Sequence, residues 1–193
     1  MEESKKLSEI EKYIAKFAKN YIAMQIYNEK LDKNILYLYL KQSKHILQVF
    51  DENYGVKEIA RIDYVVNDKG VYISDFVVEE DFQRNGIGKS LFNIAMAHGD
   101  AQGAKLVYGT AAPISGIYGV SNEEDSFENE KKVLMQIYTK LGCKFDTQIN
   151  LDNSESRFYQ VWASGEKLSE LNQQCKLFLN RMISKEQVCN KEK

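Results

Sequence analysis

One proline, three cysteines, two histidines and one tryptophan in 193 residues leave several classes of protein out at once. With Pro113 alone there is no Pro-rich linker and no composition break that would mark a second domain. Cys143, Cys175 and Cys189 are odd in number and stand 32 and 14 residues apart. That fits no disulfide framework, no CxxC redox pair and no zinc-ligand pattern. A reducing cytoplasm is therefore the expected compartment, and no metal is expected. An excess of one charge is also missing. The 26 basic residues nearly cancel 28 acidic ones, for a net charge of −2 and a pI near 5.8, so nucleic acid is not an expected partner. The longest apolar run, Ile35-Leu36-Tyr37-Leu38-Tyr39-Leu40, falls far short of the ~20 residues that span a bilayer. Met1-Glu2-Glu3-Ser4-Lys5-Lys6 is too charged to open a secretory leader, so no membrane partner is expected.

What is present is 44% hydrophobic and 28% charged residues, the composition of an ordinary globular chain. A chain this long hides roughly two thirds of its unfolded surface and needs no staple. Leu7, Ile10, Ile14, Phe17, Tyr21 and Met24 recur at steps of three and four, which predicts an N-terminal amphipathic helix within residues 1–30. Short apolar runs follow at Ile35–Leu40, His45–Phe50, Glu58–Val66 and Val71–Val78. Turn residues separate them, and an antiparallel meander of four strands is expected. The period then returns to helical through Ile87, Leu91, Ile94, Ala95 and His98, closed by Gly99 or Gly103. A strand at Lys105–Thr110 and a loop of about twenty residues between Ala111 and Lys131 come next. Val133, Ile137 and Leu141 predict a helix capped by Gly142, then strands at Cys143–Ile149 and Arg157–Trp162. Leu168, Leu171, Cys175, Phe178 and Met182 predict one C-terminal helix over 165–186. The whole chain, 1–193, reads as a single α/β (α+β) domain. The stripes of the terminal helices fit packing on this chain's own sheet and fit a homodimer equally.

The most informative stretch runs Val77-Val78-Glu79-Glu80-Asp81-Phe82-Gln83-Arg84-Asn85-Gly86-Ile87-Gly88-Lys89-Ser90. A strand passes through polar residues into two glycines and a helix, which aims backbone N–H groups and a helix N-terminus at one spot and favours a phosphate. A P-loop would need glycine at Gln83, and a dinucleotide fingerprint would need glycine at Leu91. The pattern that remains is Q/R-x-x-G-x-G, met by Gln83, Gly86 and Gly88.

These residues resemble the pyrophosphate loop of the GNAT superfamily of acyl-CoA-dependent N-acyltransferases. Ile137-Tyr138-Thr139-Lys140-Leu141-Gly142-Cys143-Lys144-Phe145 is similar to that family's second signature, and the order of elements over 34–163 matches too. Lys131 stands where the family commonly has asparagine, seven residues before the tyrosine. The resemblance implies a mixed, mostly antiparallel central sheet flanked by helices, with acetyl-CoA as co-substrate. Val77, Val78, Gln83, Arg84, Asn85, Gly86, Ile87, Gly88, Lys89 and Ser90 would bind it, the strand backbone pairing with pantetheine and the loop with pyrophosphate. It implies that this strand splays from the next. Direct attack by a primary amine is the family's usual route, with Tyr138 protonating the thiolate and a carboxylate near the central strand as base. Asp75, Glu79 and Glu80 are open for that role, Glu79 being favoured. His45 and His98 read as structural imidazoles.

Five acids between Glu123 and Glu130 would attract a cationic amine, and would equally stabilise a helix N-terminus. Two rival readings remain: a non-catalytic GNAT-like module that holds acyl-CoA or contacts a protein, and a nucleotide binder using Gly88-Lys89-Ser90.

Overall fold

Two-residue alternation governs the chain from Tyr21 to Val78. The computed structural model describes residues 21–51, 57–112, 123–146 and 156–191. It forms this stretch into five antiparallel strands: β1 Tyr21–Asn28, β2 Lys33–Lys41, β3 His45–Phe50, β4 Glu58–Asn67 and β5 Gly70–Val78. The last four are the expected meander.

β1 corrects the sequence reading. Residues 21–28 are extended and are not the end of a helix over 1–30, whose first twenty residues lie outside the described ones. Ile22 and Ile26 are buried and Met24 packs on the same core, a spacing of two that a strand satisfies. The full register from Tyr21↔Leu40 to Asn28↔Lys33 then outweighs the three-and-four spacing of Phe17, Tyr21 and Met24. Asn28 sets the turn, its side-chain oxygen accepting from the Lys30 and Leu31 amides at 3.0 Å each.

Beyond β5 come α1 Ile87–Ala101, β6 Leu106–Ala111, α2 Glu123–Lys140, β7 Lys144–Phe145, β8 Ser156–Val161, α3 Glu166–Glu170 and α4 Gln173–Lys191. The eight-stranded sheet has the order β1-β2-β3-β4-β5-β6-β8-β7. Among the described residues only the β5–β6 pair is parallel. This is the mixed, mostly antiparallel sheet expected.

Three further boundaries differ from expectation. The C-terminal helix is two helices, because Leu171 is extended and buried while the Asn172 side chain accepts the Cys175 amide at 2.8 Å, capping a new start. The loop expected to reach Lys131 ends by Glu123, so the five acids lie in the opening turns of α2. Of the strand expected at Cys143–Ile149 only Lys144–Phe145 is extended, and 147–155 lie outside the described residues.

β2 is buried on both faces, which is why Ile35–Leu40 is unbrokenly apolar. Ile35, Tyr37 and Tyr39 join the main core under the helices, and Leu36, Leu38 and Leu40 form a second cluster with Phe50. α1 lies on β4 and β5, and α4 lies against β1 and α1. Asp100, buried near the end of α1, accepts the Gly165, Lys167 and Leu168 amides at 2.8, 3.0 and 3.2 Å and so seats α3. Among the described residues no helix is long and apolar enough to cross a membrane.

Candidate active site

The site begins at an extra residue in β5. Asp63 pairs with Asp75 and Tyr64 with Ile73, which leaves Ser74 as a bulge, its hydroxyl donating to the Asp63 carbonyl at 3.2 Å. A bulge bends its strand and raises the local twist. The parallel ladder to β6 stops at the same place, holding only Val71↔Val107, Tyr72↔Tyr108 and Ile73↔Gly109. β6 stays with β8 through Thr110 and Ala111. The strands therefore splay, as the resemblance implied. The gap is a cleft of about 210 Å³ lined by β5 from Ile73 to Val78, by Thr110–Ala112, and by Leu134 and Tyr138 of α2. Backbone groups of β5 beyond Ile73 have no ladder partner on the β6 side, and an extended ligand with amides of its own can pair there.

Beside the cleft the chain turns into α1. Phe82, buried in a short 3-10 turn at Glu80–Phe82, anchors the approach. The Gln83 carboxamide donates to the Val78 carbonyl at 3.1 Å, so this side chain ties the loop to β5. Arg84 is left-handed at φ 64°, a strained conformation for a residue with a Cβ. Its carbonyl accepts from the Lys30 ammonium at 2.9 Å, and the Asn85 carbonyl accepts from the Asn28 amide at 2.9 Å. The β1–β2 turn thus holds the loop's carbonyls. Gly86 caps α1 at φ 81° with no side-chain cap, no acid stands in the first turn, and a Cβ there would meet open space. The leading amides of Ile87, Gly88 and Lys89 precede the first helical bond, Ser90 N–H to Gly86 carbonyl at 3.0 Å, and are available to an anion. Gly88 serves a different end. A Cβ on it would lie 3.2 Å from Val78 and 3.3 Å from Phe76, so glycine lets α1 sit close on β5. Lys89 also borders, with Lys140, an opening of about 350 Å³ beside the loop, in which the third lysine, Lys167, is ion-paired with Glu170.

Tyr138 reaches the cleft from the last turns of α2. It is 6% exposed and stacks on Phe158 of β8, ring centroids 3.9 Å apart and planes 18° apart. Gly142, at φ 90°, ends α2 with the paired bonds of a glycine cap: the Cys143 amide to the Tyr138 carbonyl and the Gly142 amide to the Thr139 carbonyl, both 2.9 Å. The second signature is thus a helix stop that sets the tyrosine. Burial pushes the Cys143 thiol up to about 12, so this neighbour is no nucleophile.

The carboxylates divide. Asp75 lines the cleft and is ion-paired with Arg61 of β4. Glu79 directly follows the cleft residue Val78 and holds Lys57 at 3.2 Å in a pair exposed on both sides. Glu80 lies in the 3-10 turn. The structure therefore gathers Val77, Val78 and Tyr138 at one cleft with the glycine loop beside it, and sets Glu79 outside the lining. Phe158, Ser74, Asn28 and Lys30 had no local signal in the sequence, since each acts on a partner far along the chain or through a register.

A split mixed sheet beside an uncapped helix N-terminus can take an extended ligand along one strand and an anionic group at the helix start. A sequence model of the Acetyltransferase (GNAT) family matches residues 12–113, more than half of the chain. The chain belongs to the GNAT family. No curated protein matches it. Solved structures similar to it include a PaiA N-acetyltransferase from Thermoplasma acidophilum in complex with coenzyme A, at 15% identity over 61% of this chain and 60% of that one, TM-score 0.44. A GNAT-family acetyltransferase from Staphylococcus aureus is similar at 13% identity over 64% and 70%, TM-score 0.46. A Bacillus subtilis acetyltransferase in complex with CoA is similar at 14% over 62% and 78%, TM-score 0.42. The chain thus spans 60% of the length of the first of these.

Proposed function

We propose that this protein transfers an acyl group, acetyl by default of the family, from acyl-CoA to a primary amine by direct attack in a ternary complex. The observation that carries this is the junction of cleft and loop: β5 leaves β6 after three pairs, the uncapped start of α1 lies beside the gap, and Tyr138 lines it. Pyrophosphate would take the amides of Ile87, Gly88 and Lys89, with Arg84 and Lys89 adding charge. Pantetheine would extend along Val77 and Val78. The amine lone pair then attacks the thioester carbonyl, the C–S bond breaks, and the Tyr138 phenol gives its proton to the departing thiolate. A phenol pKa near 10 suits a thiolate acceptor.

The amine must also lose a proton. Glu79 is the base on this reading, because an exposed ion pair costs little to open, whereas the Asp75 carboxylate is already engaged by Arg61. The buried, free Cys143 and Cys175 are consistent with a reducing cytoplasm.

Purified protein heated with millimolar acetyl-CoA, CoA, ATP or no ligand tests the reading. A ligand at a hundred times its dissociation constant adds about 2.7 kcal/mol, a rise of several degrees in Tm. The expected result is a rise with acetyl-CoA and CoA only, followed by thiol release once an amine is supplied. A rise with ATP alone would transfer the loop to a nucleotide. CoA binding without turnover on any amine would favour the non-catalytic module, which the placement of Glu79 outside the cleft lining supports.

A further inference from the structure

The chain's only two histidines come from β3 and α1, and the fold brings them together. The His45 and His98 rings lie with centroids 4.7 Å apart and planes 81° apart, 3% and 0% exposed. Glu186 of α4 meets both: one carboxylate oxygen is 3.3 Å from His45 Nδ1, the other 3.2 Å from His98 Nε2. The three ligand-capable atoms lie within 4.8 Å of one another. We propose that His45, His98 and Glu186 bind one divalent transition-metal ion of the zinc class, clasping α4 to α1 and to the sheet.

The donor set and its spacing carry this. Two imidazoles and a carboxylate are the ligands a zinc-class ion takes in water-accessible three-ligand sites. Bonds of about 2.0–2.1 Å in a tetrahedron place ligand atoms roughly 3.4 Å apart; each ring nitrogen stands near that distance from a different Glu186 oxygen, so a turn of the carboxylate presents one oxygen to both. The outer contacts suit ligation as well. Tyr64 OH lies 2.7 Å from His98 Nδ1 and can accept that ring N–H, which leaves the lone pair on Nε2, the nitrogen beside Glu186. Tyr39 OH donates to Glu186 and lies 2.9 Å from His45 Nδ1, so it is the nearest fourth donor or the anchor for a bound water.

Two metal-free neighbours must give way. The Gln102 amide, 2.9 Å from His98 Nε2, turns aside, and the ammonium of the exposed Lys41, 3.3 Å from His45 Nδ1 and 2.9 Å from Nε2, moves into water. His98 lies eleven residues along α1 from Ile87, about 16 Å at the helical rise, so the clasp is separate from the acyl-CoA loop.

Full-length protein stripped with a chelator is titrated with Zn²⁺ by calorimetry and with Co²⁺ by absorption. One equivalent is expected to bind at micromolar concentration or below, with a rise of several degrees in Tm and the visible bands of tetrahedral cobalt without thiolate charge transfer. Glu186→Gln keeps an oxygen acceptor for Tyr39 and is expected to lose at least ten-fold in affinity, with its circular dichroism unchanged. His45→Asn serves where that variant fails to fold. No saturable uptake by the wild type, equal affinity in a folded variant, or a cobalt–thiolate band that assigns the ion to cysteine would each overturn the site.

Discussion

At the residue scale the sharpest point is Tyr138, whose ring is held by Phe158 and whose carbonyl is held by the Gly142 stop. Tyr138→Phe keeps the stacking and removes only the proton. Its kcat is expected to fall ten-fold or more, toward the roughly 10²–10⁴-fold that general acid catalysis contributes, with CoA affinity unchanged by calorimetry. Under the same assay Glu79→Gln is expected to lower kcat by at least ten-fold while Asp75→Asn lowers it less, and the reverse order would make Asp75 the base. The turn at Gly86 and the helix stop at Gly142 were legible because their signals are local, each needing a positive φ. Asn28 and Lys30 were not legible. They hold the loop's carbonyls across 57 and 54 residues of chain, a relation no local pattern encodes.

At the scale of elements, α4 depends on its first turn. The Asn172 side chain accepts the Cys175 amide, and α4 carries Phe178 and Met182 into the main core. Asn172→Ala is expected to cost about 1 kcal/mol, read as a drop of a few degrees in Tm with CoA affinity preserved. The same residue explains why one long helix over 165–186 was expected and two are found. Leu168, Leu171, Cys175, Phe178 and Met182 keep helical spacing across the break, so periodicity alone passes over a cap that competes from within. β1 shows the opposite limit: Tyr21 and Met24 fit a helix, and only pairing with β2 decides for the strand. The four runs of the meander, by contrast, were legible, since Gln42-Ser43-Lys44, Asp51–Gly55 and Asn67–Gly70 interrupt them, although the bulge at Ser74 was not.

At the scale of the molecule, the cluster of His45, His98 and Glu186 ties acid stability to the seating of α4, with Tyr39, Tyr64 and Lys41 around it. Folding lowers the His45 pKa below 6.5, so the unfolded chain binds the proton first and stability declines as pH falls through that value. Glu186 is likewise lowered from 4.5, and its contribution, present above that value, is lost as pH falls further. Tm of the chelator-treated protein is therefore expected to fall from pH 7.5 toward pH 4, each group contributing at most about 1.4 kcal/mol per pH unit. In His45→Asn the slope between pH 6.5 and 5 is expected to flatten. The sheet carries a different consequence. Among the described residues its only ladder between β1–β5 on one side and β6, β8 and β7 on the other is three pairs long. Along that line the two halves of the sheet are joined by those three strand pairs. Any extended molecule that fills the gap with amides of its own splints the two halves, and its departure returns their freedom, so occupancy and rigidity rise and fall together.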